Sequence, residues 1–248
     1  MSTVTQVHAI NESAGQSIWY IRHCSLFSCL TMDQMMRADE MSTMRTYRRG
    51  ETLAVGFHGG ADVAIIKDGL VKVQRLLKSG DVATVDVVGK GELVGRLDRL
   101  DGGILDTDPD EIVAVDDVVA CEFDRSAFIT FIHDVPAFSE QLSAAFETRM
   151  HRMSERLIDL VFRSAEARLA AFLLRHGEQH GSIRLRTLFV PTGITQAEIG
   201  RMVGLSRPTV AEILNDFKRA GLVDLTRKHI VVRDVARLKS LAERVGRE

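Results

Sequence analysis

The spacing of apolar positions changes period along the 248-residue chain, and each change marks a different kind of element. Met1 to Ser17 shows no periodic apolar pattern and reads as a loose tail. Between Ser17 and Glu40, Leu26, Leu30, Met35 and Met36 fall at helical spacing behind Trp19 and Tyr20, which predicts one or two short helices. Period-two patterning begins after Arg49-Gly50-Glu51. Predicted strands are Thr52 to Val55, Val63 to Ile66, Leu70 to Leu77, Ala83 to Val88, and a single long run from Ile112 to Phe123. Turns separate them at Gly59-Gly60, Lys67-Asp68-Gly69, Ser79-Gly80-Asp81 and Gly89-Lys90-Gly91. Val71 and Val73 alternate with Lys72 and Gln74, and Ala83, Val85 and Val87 alternate with Thr84 and Asp86, so the valine sets are expected to share a face. Regular short strands with no helical crossover between them predict an all-β sandwich or barrel rather than a doubly wound sheet.

Helical spacing returns at Ser126. After Pro136, Phe146, Met150, Met153, Leu157 and Leu160 follow one another in steps of four, three, four and three, a heptad seam. Such a seam either packs on its own domain or pairs two copies of a helix, and spacing alone leaves both open. Ala165 to Arg175 carries Leu169, Phe172 and Leu173 on one face, and Gly177 and Gly181 are read as ending it, with Pro191-Thr192-Gly193 as a further loop. Thr195-Gln196-Ala197-Glu198 is a capping box, so a helix should start there, bury Ile199, Met202 and Val203, and stop at Gly204. Ser206 caps a second helix that tolerates Pro208 in its first turn, buries Val210, Ile213, Leu214 and Phe217, and stops at Gly221. Leu222 to Leu225 and His229 to Val232 then read as a hairpin with Thr226-Arg227-Lys228 at its tip.

A tight turn between two capped helices, followed by a hairpin, is the pattern of a winged helix-turn-helix, whose second helix fits the major groove of DNA. Its candidate contacts are Thr195, Gln196, Ser206, Arg207, Thr209, Glu212 and Asn215, with Arg227 and Lys228 on the wing. Arg207 can give two hydrogen bonds to a guanine edge and Glu212 can accept from a cytosine amino group; the hydroxyls suit phosphate oxygens, which set register. Charge agrees. From Ala165 to Glu248 there are 15 Lys and Arg against 9 Asp and Glu, whereas Met1 to Ser164 holds 17 against 25, so the small overall charge of -2 conceals one basic end.

Composition narrows the classes. With 45% hydrophobic residues the chain can bury real cores, and no apolar run approaches the roughly 20 residues of a membrane helix. No secretory leader pattern opens the chain, and three cysteines do not make a disulfide scaffold, so a reducing cytoplasm is expected. Neither a Gly-rich phosphate loop, nor His-Glu-x-x-His, nor a nucleophile elbow occurs, and Asp106 to Glu111 lacks the glycine and closing Glu of a calcium loop; no enzyme is expected.

Several stretches, in this order, make the chain resemble the CRP/FNR family of bacterial transcription regulators from about Ile18 onward. They are Arg49-Gly50-Glu51, Lys67-Asp68-Gly69-Leu70-Val71-Lys72-Val73, Gly91-Glu92-Leu93-Val94-Gly95, Glu166-Ala167-Arg168-Leu169-Ala170-Ala171-Phe172, and the helix-turn-helix from Thr195 to Leu214. The resemblance implies an α+β chain: a β-roll effector domain of the cyclic-nucleotide-binding, jelly-roll type over 18–134, a dimerisation helix over 135–163, and a winged helix-turn-helix over 164–248. It implies a homodimer on a palindromic operator, with RNA polymerase as a further partner, and turns the Phe146–Leu160 seam towards dimerisation. The different-class alternative is a sensor module that acts through protein contacts alone.

For the effector, the resemblance implies three chemistries. Nucleotide-binding members hold the phosphate with an Arg-Ser pair after Gly-Glu-Leu, but Asp108-Pro109 stands in that place within an acidic stretch, so cyclic AMP is not expected. Cys24, Cys29 and Cys121 are similar to the ligands of the family's iron–sulfur sensors; a [4Fe–4S] cluster wants a fourth ligand, His23 or an Asp. A thiol redox switch and plain buried cysteines are the other readings. Haem or another small ligand is the third chemistry, with His58, His133 and His151 as candidates against the plain reading of solvated or packed histidines. Pro208 and Glu212 occupy places where family members often carry Glu and Arg that read bases, so the half-site is expected to differ from the common one.

Overall fold

The computed structural model describes residues 24–55, 61–78, 80–95, 110–184, 187–191, 193–226 and 229–244. They fall into two compact units, Met1–Glu147 and Thr148–Glu248. The tail, Asp106 to Pro109, His23 and His58 lie outside the described residues.

The first unit begins with a 3₁₀ turn, Ser25–Phe27, and helix α1, Met32–Glu40, which Thr31 starts with a capping box to Gln34. Eight strands follow: β1 Ser42–Tyr47, β2 Thr52–Leu53, β3 Val63–Asp68, β4 Val71–Leu76, β5 Val82–Val88, β6 Leu93–Gly95, β7 Glu111–Ala114 and β8 Val118–Phe123. They form two antiparallel four-stranded sheets, ordered β1-β8-β3-β6 and β2-β7-β4-β5. Tyr47, Ala64, Ile66, Val94, Val118 and Ala120 from the first sheet share one core with Leu53, Val71, Val73, Val88, Ile112 and Ala114 from the second. The other face of the first sheet is also covered. Val63, Ile65, Cys121 and Phe123 pack on Leu26, Phe27, Met35 and helix α2, Arg125–Asp134. Burial on both faces explains why β3 reads as an unbroken apolar run.

Three details of this roll differ from the sequence reading. The run from Ile112 to Phe123 is two strands in different sheets, because Asp116 and Asp117 turn the chain and accept the backbone N–H groups of Leu70 (2.7 Å) and Arg49 (3.2 Å). Strands β1 and β6 were not expected; β1 is a half-buried edge with only Met44 and Tyr47 as large apolar residues, too few to show a period. In β5 the expected alternation is broken: Thr84 and Asp86 are buried and Val85 is exposed, while Val87 is buried as expected. A register shift between Val73 and Gln74 sets Asp86 directly opposite Val73, and cross-strand partners point to the same face, so the carboxylate looks into the roll.

Helix α3, Pro136–Phe162, contributes to both units. In the second unit it is followed by α4, Ala165–His180, strands β9 Ser182–Arg184 and β10 Thr187–Pro191, helices α5 Gln196–Val203 and α6 Arg207–Arg219, strands β11 Val223–Leu225 and β12 His229–Val232, and α7, Val235–Ala242. The four strands form one sheet in the order β11-β12-β10-β9. Gly177 does not end α4 but lies inside it, buried, where an added Cβ would come within 2.7 Å of Leu188 Cδ2; the glycine lets β10 approach the helix. Pro191 belongs to β10, paired with His229, rather than to a loop.

Candidate nucleic-acid interface

The candidate reading helix is fixed at both ends by its own sequence. In α5, Thr195 Oγ1 accepts from Glu198 N–H (3.2 Å) while Thr195 N–H donates to Glu198 Oε2 (2.7 Å). Gly204 ends the helix with φ +66°, and Leu205 N–H returns to the Gly200 carbonyl at 2.7 Å. Gly200 is required there, since a Cβ would stand 2.5 Å from the Leu205 carbonyl oxygen. A Cβ on Gly204 would meet Leu160 Cδ2 at 2.8 Å, so this turn rests on the end of α3. Ser206 caps α6, with its Oγ accepting from Thr209 N–H at 3.2 Å and lying 2.7 Å from Thr209 Oγ1.

Val210, Ile213, Leu214 and Phe217 are buried, which fixes the roll of α6 about its axis. Ser206, Arg207, Glu212 and Asn215 are consequently exposed; Thr209 is half-buried. On α5, Thr195 is exposed and Gln196 half-buried. The centre of the outward face is Pro208, Glu212, Asn215 and Arg219, in steps of four, three and four, with Arg207 at its margin. Arg219, ion-paired with Asp216, was not among the sequence candidates, although the same helical spacing points to it. The hairpin is closed by Thr226, whose N–H donates to the His229 carbonyl at 2.9 Å and whose Oγ1 accepts from His229 N–H at 2.9 Å. Arg227 and Lys228, at the tip, lie outside the described residues.

The seam is apolar and open. Phe146 is 43% exposed, Met150 65%, Met153 49%, Leu157 64% and Leu160 39%. Ile158, Val161 and Phe162 add to the exposed apolar surface, and a strict heptad reading misses them. A stripe of this size is unusual on a monomer.

Cys24 and Cys121 line one cavity of about 330 Å³ with Phe27, Ile65, Lys67 and Lys90. Cys29 is elsewhere, its thiol directed at the Leu26 carbonyl. Burial pushes the Cys121 thiol up to about 11 and also raises Cys24 and Cys29. Among the described residues no three His, Cys, Asp or Glu side chains are grouped to hold a metal. His133 and His151 are solvent-exposed. Glu92 caps its own turn, accepting from Gly89 N–H at 2.9 Å. Asp110, the described start of the acidic stretch's last pair, is bound to Arg75 at 2.6 and 2.9 Å.

Among the described residues no helix is long and apolar enough to cross a membrane. The cyclic nucleotide-binding domain family matches residues 44–134, and the Crp-like helix-turn-helix domain family matches residues 167–241. The CRP-like cAMP-activated global transcriptional regulator of Mycobacterium tuberculosis is 31% identical over 192 residues, covering 77% of this chain and 84% of that protein. The transcriptional activator protein FnrL of Cereibacter sphaeroides is 22% identical over 225 residues, 88% of each chain. In fold, FixK2 from Bradyrhizobium japonicum superposes with a TM-score of 0.68 at 19% identity, over 83% of this chain and 99% of that one. With a β-roll, a long helix and a winged helix-turn-helix in this order, the chain belongs to the CRP/FNR family of DNA-binding transcription regulators and is not an enzyme.

Proposed function

We propose that the protein is a cytoplasmic homodimer that binds a palindromic operator and meets RNA polymerase there. Residues 18–134 act as the sensor, 135–163 as the pairing helix and 164–248 as the DNA-binding domain. The observation that carries this reading is the open apolar stripe of α3 in the same chain as a capped helix whose polar side chains face solvent. Pairing two stripes would cover the exposed Met150, Met153 and Leu157 and set two copies of α6 on successive turns of DNA. Arg207 and Glu212 are assigned to base edges, Ser206, Thr209, Thr195 and Gln196 to the backbone, and Asn215 to the outward face of the helix, with Arg227 and Lys228 reaching the flanking phosphates.

The signal reaches α6 through two arrangements of the paired helices. Cyclic AMP is not that signal: Asp108-Pro109 stands where nucleotide-binding members hold the phosphate with an Arg-Ser pair. Among the described residues no three donors are grouped for a metal, so no iron–sulfur cluster is assigned to the sensor. The test is selection of bound fragments from random duplex DNA, using protein prepared with and without oxygen. A two-fold symmetric site with half-sites one helical turn apart is expected. Fragments without symmetry, or binding that ignores sequence, would refute the reading.

A further inference from the structure

A helix that ends against a folded body is ordinarily held there by its apolar face. The end of α3 is not. Leu157, Ile158, Leu160, Val161 and Phe162 are all exposed. Among the described residues of α3 beyond Leu142, Asp159 alone is buried, at 3% exposure. The one side chain that this part of the helix turns inward is a carboxylate.

Its two oxygens are shared between two helices. Oδ1 pairs with Arg163 Nε at 2.9 Å, one turn along the chain, and Oδ2 pairs with Arg175 Nη2 of α4. Arg175 is in the third turn of α4, about 15 Å along that helix. Helix α4 belongs to the DNA-binding body, in which Leu169 and Leu173 are completely buried. A tie so far from the junction of the two helices restrains the angle between them more than a tie at the junction would. The second polar tie is weaker: Arg168 Nη1 gives a bond of 3.4 Å to the Leu160 carbonyl. A buried ion pair adds little net stability over an apolar pair of like size, but either charge left alone in the interior is costly. Apolar surfaces attract without direction, whereas a guanidinium and a carboxylate must meet in one geometry.

We propose that Asp159 and Arg175 are positioning residues that fix the distance and rotation between the two recognition helices of the dimer, and thereby select the spacing of operator half-sites. The inference rests on the dimer reading given above and adds the residues that hold its geometry. Helix α6 reads the bases. Asp159, being buried, meets no DNA and acts through the angle at which α4, with the body built on it, leaves the paired helix.

The test compares the affinity of the full chain for its selected operator with that for the same operator carrying one extra base pair between the half-sites. The ratio of the two does not depend on how much of a preparation is active. The unmodified protein is expected to prefer the selected spacing by about tenfold or more. Asp159→Asn, and the double variant Asp159→Leu with Arg175→Met, are expected to lose most of that preference while selecting the same half-site sequence. The double variant puts apolar side chains of similar size in place of the pair and is expected to unfold no more easily than the parent, which separates positioning from stability. If the double variant does not fold, the ratio measured with Asp159→Asn decides. Variants that discriminate spacing as well as a discriminating parent would overturn this inference alone. A parent indifferent to spacing would remove the dimer reading and this inference together.

Discussion

Arg207 and His176 illustrate how differently single side chains are specified. Arg207 was legible because capping is local: Ser206, Pro208 and the four apolar residues that follow fix both where α6 starts and which way it faces. Arg207→Ala is expected to cost about 1–3 kcal/mol on the cognate operator and to relax preference at one base pair. A selection returning the same site with the same stringency would remove it from base reading. His176 was not legible, because Phe172 and His180, four residues to either side on α4, show only a shared face, while the Pro191 backbone that hydrogen-bonds it comes from β10. An unfolded histidine titrates near 6.5 whereas this one is held to about 3, so the unfolded state takes up its proton first as pH falls. Stability is therefore full above about pH 6.5 and declines towards pH 3, by up to about 1.4 kcal/mol per pH unit. Urea unfolding at pH 7 and pH 5 should show His176→Phe losing part of this slope; identical slopes in both proteins would contradict the assignment. Asp86 was misjudged for a related reason. Its side of β5 is set by a register shift against β4, and a bulge in one strand is read only from its partner.

Whole elements were legible in proportion to their periodicity. The seam of α3 stood out because it repeats for two heptads, whereas β1, β9 and β10 are short and their apolar residues are claimed by faces that the local pattern does not reveal. Strands β7 and β8 merged because a two-aspartate turn is small beside the apolar run that flanks it. Met153→Glu places a charge in the apolar stripe and is expected to shift the protein towards monomer; sedimentation velocity at micromolar concentration checks it, and an unchanged dimer would move the interface elsewhere. Gly177 was read as a helix end because glycine commonly is one, yet here the missing side chain is space for Leu188. Gly177→Ala should destabilise the second unit by about 1–3 kcal/mol through overpacking, measured by chemical denaturation. A neutral or stabilising effect would mean that β10 yields easily.

For the molecule as a whole, the order of patterns along the chain carried the family, while the signal it answers to depends on what lines the roll. Asp86 faces the core of the roll opposite Val73, and Glu92 accepts from Gly89 N–H in its own turn. Calorimetric titration with cyclic AMP is accordingly expected to give no saturable heat, and a micromolar complex would reverse that reading. The charge asymmetry predicts where the salt sensitivity of DNA binding resides: in the basic C-terminal part, not in the acidic sensor. Leu160 is the final residue of the seam and also the one on which the Gly204 bend sits. Whatever presses on it from the open side of α3 is one van der Waals contact away from the bend that aims α6.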